Sequence, residues 1–203
     1  MLDFWIIIAG YALLGAGIKY VDEAYDEHTF SKKKAHVVAV LCILLMGYLM
    51  LADGPSMMIF LGMVIALVFS KKIDNPAFYA GTAGILPMPM LFNVSISIEL
   101  LPLSVLVLTG IIDEKGNDLA DNRKIKGIIE KFFNYRCMMK VGVLGLCVFG
   151  FFGFIYFVAF MMFDLMYYLI KIYSSNIVAA KVSPAKYIVS VSPVRYMVSL
   201  IKF

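Results

Sequence analysis

Residues 141–170 read VGVLGLCVFGFFGFIYFVAFMMFDLMYYLI, thirty positions with a single charge, Asp164. As one helix the run would extend ~45 Å at 1.5 Å per residue, well beyond the ~30 Å hydrocarbon core of a bilayer. It therefore reads as one long tilted helix or as a tight pair turning near Gly150-Phe-Phe-Gly153.

Five further apolar segments precede it, over residues 4–18, 37–51, 57–69, 77–92 and 98–112. Each is shorter than the ~20 residues of an ordinary span, but in series, with Lys and Tyr at their ends, they read as helices whose flanking side chains reach the interfaces. They lack the polar/apolar alternation of barrel strands. The composition agrees. The chain has 203 residues, 62% hydrophobic and only 16% charged, with mean hydropathy +0.89. A soluble domain carries about a quarter charged residues, so lipid must cover apolar surface that a core of this size cannot. The expectation is an all-α polytopic transmembrane bundle of about seven spans, six if the last run is one helix. Residues 1–172 form the bundle and 173–203 a basic tail.

Charge distribution orients it. All 18 Lys and Arg fall in loops one (19–36), three (71–72) and five (113–140) or in the tail, and none near Asp53 or Asn93. The positive-inside rule then places the N-terminus outside, the basic loops in the cytoplasm and the chain in the cell membrane. A hairpin at 150–153 brings the tail to the same side, which favours the pair of helices. The first segment, without a basic n-region, reads as a retained span. The tail repeats itself, VSPAKYIVS at 182–190 and VSPVRYMVS at 191–199, a mixture suited to the headgroup layer. No basic stripe lies on a soluble domain, so nucleic acid is not an expected partner; the bilayer is. The odd cysteine count, three, argues for free thiols.

The acids carry the functional reading. Three outside-to-inside segments end alike: Val21-Asp22-Glu23, Ile73-Asp74-Asn75 and Ile112-Asp113-Glu114. A helix C-terminus favours cations, so carboxylates gathered there need compensation, by neighbouring Lys and Arg or by a divalent ion. Hard oxygen ligands suit Mg²⁺, which commonly bridges to phosphates. In that reading Asp22, Asp26, Asp74, Asp113 and Asp118 hold Mg²⁺, with Asn75 and Asn117 completing the shell. Arg123, Lys124 and Arg136 bind phosphate oxygens, and Asp164 supports the site from within the last run. The substrate would be a lipid phosphate or prenyl diphosphate. Two other readings compete: a cation transporter or channel using Asp164 and the Pro-broken fourth segment, and a non-catalytic membrane partner protein. In the transporter reading the acids form a cation-collecting vestibule; in a purely structural reading they pair with nearby bases.

Asp22 and Asp26 form an Asp-x-x-x-Asp that resembles the aspartate-rich motifs of UbiA-type membrane prenyltransferases. That likeness implies a prenyl diphosphate held through Mg²⁺. It covers about five residues, lacks the family's Asn before the motif, and sits in a chain short for that family's helix count. The longer motif of CDP-alcohol phosphotransferases is not met, for want of its Gly and Ala-Arg positions. No nucleophile elbow, Walker loop, HExxH or CxxC is present.

Overall fold

A computed structural model of the protein describes residues 2–71, 76–88 and 98–182. Among the described residues there are eight helices and no strand: α1 (Phe4–Tyr25), α2 (Lys32–Ala52), α3 (Gly54–Phe69), α4 (Pro76–Ile85), α5 (Leu100–Asp121), α6 (Ile128–Asn134), α7 (Cys137–Val148) and α8 (Phe154–Val182). Three of them, α1, α2 and residues 154–178 of α8, are long and apolar enough to cross a membrane, while α3 and α7 are shorter apolar helices. The architecture is consistent with a helical membrane protein.

Six helices close a ring. α1 packs on α2, α2 on α3, α3 on α5, α5 on α7, α7 on α8, and α8 returns to α1 along the largest interface of the bundle. α4 lies against α2, and the short α6 against α5 and α7. The apolar side chains divide accordingly. Tyr11, Leu14, Leu49, Met50, Ile59, Phe60, Leu106 and Val143 are fully buried. Trp5, Val37, Val40, Leu41, Leu44, Leu108 and Phe149 point outward and exposed. Such broad apolar exposure on α2 would be a liability in water and is ordinary in lipid.

The thirty-residue run is broken where its glycines stand. α7 ends at Val148, Gly150 adopts φ +80°, and the N–H groups of Phe151 and Phe152 donate back to the Leu146 carbonyl. A left-handed residue of this kind ends a helix at no steric cost only when it is glycine. The chain then re-enters as α8, which continues past Tyr173 to Val182. Apart from Val182 the tandem repeat lies outside the described residues, as do Asp74, Asn75 and Asn93.

Close helix approach is carried by glycines outside α4. Gly81 and Gly84 in α4 face Ile43 at ordinary contact distance, with room for a methyl group. Tight positions between helices include Gly15, whose Cβ would fall on the Phe163 carbonyl oxygen, Gly62 against Leu106 Cβ at 2.7 Å and Gly110 against Ala66 Cβ at 2.6 Å. The seams between α1 and α8 and between α3 and α5 therefore rest on small residues, a pattern common in membrane helix bundles.

Asp53, alone between α2 and α3, caps α3 by accepting the Ser56 N–H at 3.1 Å on Oδ2, with Pro55 in the first turn. Its Oδ1 accepts the Tyr156 hydroxyl at 2.8 Å, and Tyr11 donates to Ser56 Oγ at 3.2 Å. This buried knot ties α1, α3 and α8 together, roughly two to three turns along α1 and α8 from the charged groups described next.

Candidate functional site

The ring encloses a partly open cavity of about 300 Å³, at the small end of the range for ligand sites. All six ring helices line it, with α4 closing one side. Most of its wall is apolar: Ile43 and Met46 from α2, Val64 and Leu67 from α3, Ile85 from α4 and Phe160 from α8. One end is charged. There Asp22, Asp113, Glu114, Arg136, Asp164 and Tyr167 share the lining.

The carboxylates at this end are held by partners, local in sequence for Asp22 and Glu23 and distant for Asp113, Glu114 and Asp164. Lys19 stands three and four positions before Asp22 and Glu23, so one ammonium reaches both, at 2.6 and 2.8 Å. The Lys19 ammonium also lies 5.3 Å from the centre of the Tyr167 ring. Glu23 accepts the Ser174 hydroxyl at 2.6 Å, which pins the last turns of α1 to α8. Asp113 is buried and acts across the bundle: Oδ1 takes the Met138 N–H at 3.0 Å and Oδ2 the Met139 N–H at 2.7 Å. These are donors of the first turn of α7, so a residue of α5 caps the helix opposite. Asp164, one charge in a long apolar run, is explained by Lys140 at 2.7 Å, a partner from loop five.

Arg136 joins these groups. It sits just before α7 with φ +48°, a left-handed backbone that a non-glycine residue rarely adopts. Its Nη2 lies 3.1 Å from Glu114 Oε1, and its guanidinium is within electrostatic reach of Asp22, Asp113 and Tyr167. The pair is asymmetric. The Arg136 side chain remains 44% exposed while that of Glu114 is 6% exposed. Glu114 Oε2 is buried without a hydrogen-bond partner.

Of the residues expected from sequence, the cavity brings together Asp22, Asp113, Arg136 and Asp164. Asp26 is the C-cap of α1, its N–H donating to the Asp22 carbonyl, and does not line it. Asn117 donates to Asp121 and the Asp118 carbonyl accepts from Asn122, both on the last turns of α5. Arg123, with φ +55°, and Lys124 follow in the exposed turn after α5. Asp74 and Asn75 lie outside the described residues. Among the described residues, no three His, Cys, Asp or Glu side chains gather as they would around a metal ion.

Three residues went unassigned in the sequence reading: Lys19, Glu114 and Lys140. The signal for Lys19 was its spacing from Asp22 and Glu23. For Glu114 it was Gly110, three and four positions before Asp113 and Glu114, marking the close-packed face of α5. No family model, curated protein or solved structure matches the chain.

Proposed function

We propose that this chain is a multi-pass membrane protein that binds a lipid phosphate or diphosphate inside the helix ring. The apolar chain lies against Ile43, Met46, Leu67 and Phe160, and the head rests at the charged end. The observation that supports this is the cavity itself, whose lining passes from apolar to charged within the same six helices. Arg136 is the residue for the phosphate oxygens. Only one of its contacts is spent on Glu114, its side chain is the most accessible charge in the lining, and a guanidinium presents five donors in a fork. Lys19 and Lys140, each bound to carboxylates, set the field around it. Seven spans with the basic loops in the cytoplasm complete the reading, which puts the charged end at the inner face. Asp22 and Asp113 have structural work as described, so binding does not depend on a metal; Mg²⁺-assisted turnover of the head is a further step of the same proposal.

The test uses the full chain purified in detergent and titrated with single-chain lipids. A lysophospholipid should bind at least about tenfold more tightly than the monoacylglycerol of the same chain, because a charge-assisted hydrogen bond contributes about 1.5–3 kcal/mol. Arg136→Ala should abolish that difference, and Arg136→Lys should retain part of it. Equal binding of phosphorylated and neutral lipids, or an unchanged preference in Arg136→Ala, would sink the proposal.

A second reading, a cation carrier, draws on the count of charges. Asp22, Glu23, Asp113, Glu114 and Asp164 face Lys19, Arg136 and Lys140, five carboxylates against three cations. It predicts cation flux in proteoliposomes that Asp164→Asn removes. Flux indifferent to that substitution, or none, excludes Asp164 as its path.

A further inference from the structure

Glu114 raises a question that the phosphate alone does not answer. One carboxylate oxygen, Oε1, is met by Arg136 at 3.1 Å; the other, Oε2, is buried, unpaired and part of a side chain that lines the cavity. Leaving a buried charged acceptor unmet is costly, and a group bound in the cavity is the natural donor. An acceptor oxygen cannot receive a phosphate. It receives an N–H or O–H, best from a cation.

The surrounding charge points the same way. The carboxylates at this end of the cavity outnumber the cations, so a purely anionic head adds to an existing negative excess. A head carrying both signs adds none. Arg136 and Glu114 are direct neighbours, so the free donors of the guanidinium and the free oxygen of the carboxylate lie within the span of one small head group.

From this we infer that the site takes a zwitterionic amine-bearing phospholipid head, its phosphate on Arg136 and its ammonium on Glu114 Oε2. The inference rests on the lipid-phosphate reading and specifies the head within it. Tyr167 shares the charged part of the lining, its ring centre 5.3 Å from the Lys19 ammonium.

The experiment compares three probes on the purified full-length chain in one detergent: lysophosphatidylethanolamine, lysophosphatidylglycerol and the matching monoacylglycerol. All carry the same acyl chain. The expected order is ethanolamine over glycerol by about tenfold, the size of one charge-assisted hydrogen bond, with monoacylglycerol weakest. In Glu114→Gln, which keeps the shape and removes the charge, the two phospholipids should bind within about twofold of each other. The wild-type comparison decides the matter even if that variant does not fold. Equal binding of the two phospholipids, both above monoacylglycerol, overturns the amine assignment and leaves the lipid-phosphate reading standing. Three equal affinities, or no binding, overturn both. A preference for ethanolamine that survives in Glu114→Gln moves the amine away from Glu114 and also overturns the inference.

Discussion

Replacing Gly15 with valine is expected to keep the folded bundle from accumulating. A single Cβ at this position already falls on the Phe163 carbonyl oxygen, and that oxygen belongs to the backbone of α8, so no rotamer change relieves the overlap. The only remedy is to push α1 and α8 apart, and these two helices share the largest interface in the molecule. Overpacking a well-filled interior costs about 1–3 kcal/mol where side chains can adjust; here the obstacle is main chain, and a cost above about 3 kcal/mol is expected. The same shift would draw Ser174 from Glu23 and Tyr156 from Asp53, which adds to the loss. Gly145→Ala is the control, because nothing lies within 4 Å of a Cβ built there. Alanine is the better helix former by up to about 1 kcal/mol, so this variant should be neutral or slightly more stable. Thermal aggregation midpoints of the two variants in the same detergent check both. A wild-type midpoint for Gly15→Val would show that the α1–α8 seam is looser than described.

Asp113→Ala is expected to lower stability by about 2–4 kcal/mol, whether or not magnesium is present. Its carboxylate satisfies two N–H groups at the start of α7 and places a negative charge at the positive end of that helix. Removing it leaves the buried Met139 N–H and the half-buried Met138 N–H without that acceptor. Asp113→Asn keeps one acceptor and should fall between alanine and wild type. The metal reading makes the opposite forecast: with the ion chelated, the substitution should relieve carboxylate repulsion and cost little, and Mg²⁺ should stabilise the wild type alone. Unfolding midpoints of wild type, alanine and asparagine variants in EDTA and in excess Mg²⁺ separate the two. A midpoint for Asp113→Ala in EDTA equal to wild type would reject the capping role.

How far the sequence carried this picture differs from one element to the next. The apolar runs located α1, α2, α3 and α5, yet each looked too short for a span because hydropathy stops where charge begins. Three of these helices, α1, α2 and α5, extend beyond their apolar runs into charged sequence. α1 runs on from Ile18 to Tyr25 because Lys19, Asp22 and Glu23 neutralise one another along a single face, and α5 continues past Ile112 to Asp121. α2 begins at Lys32, ahead of its apolar stretch. The break at Gly150 was readable because glycine is the residue that tolerates its backbone. The site was legible by side and less so by partner. Shared charge bias put Asp22, Asp113, Arg136 and Asp164 at one end, where the cavity collects them. Pairing between distant segments leaves no local pattern. Asp113 with the α7 amides and Asp164 with Lys140 depend on how α5, α7 and α8 are arranged. For the same reason, sequence proximity to Asp113 did not place Asn117, Asp118, Arg123 or Lys124 in the cavity lining.

The ring has one more implication, for how the protein is made. Its closing seam joins α1 with α8, the first and last of the six ring helices in chain order. Throughout translation of the segments between them the chamber lacks a wall, and Glu23 waits for a hydroxyl more than a hundred residues downstream, at Ser174. A nascent chain arrested before Phe154 would therefore present five of the six staves, with Lys19 and its carboxylates facing whatever fills the gap. The interior stays open on that side during that interval, and the arrival of α8 closes the ring.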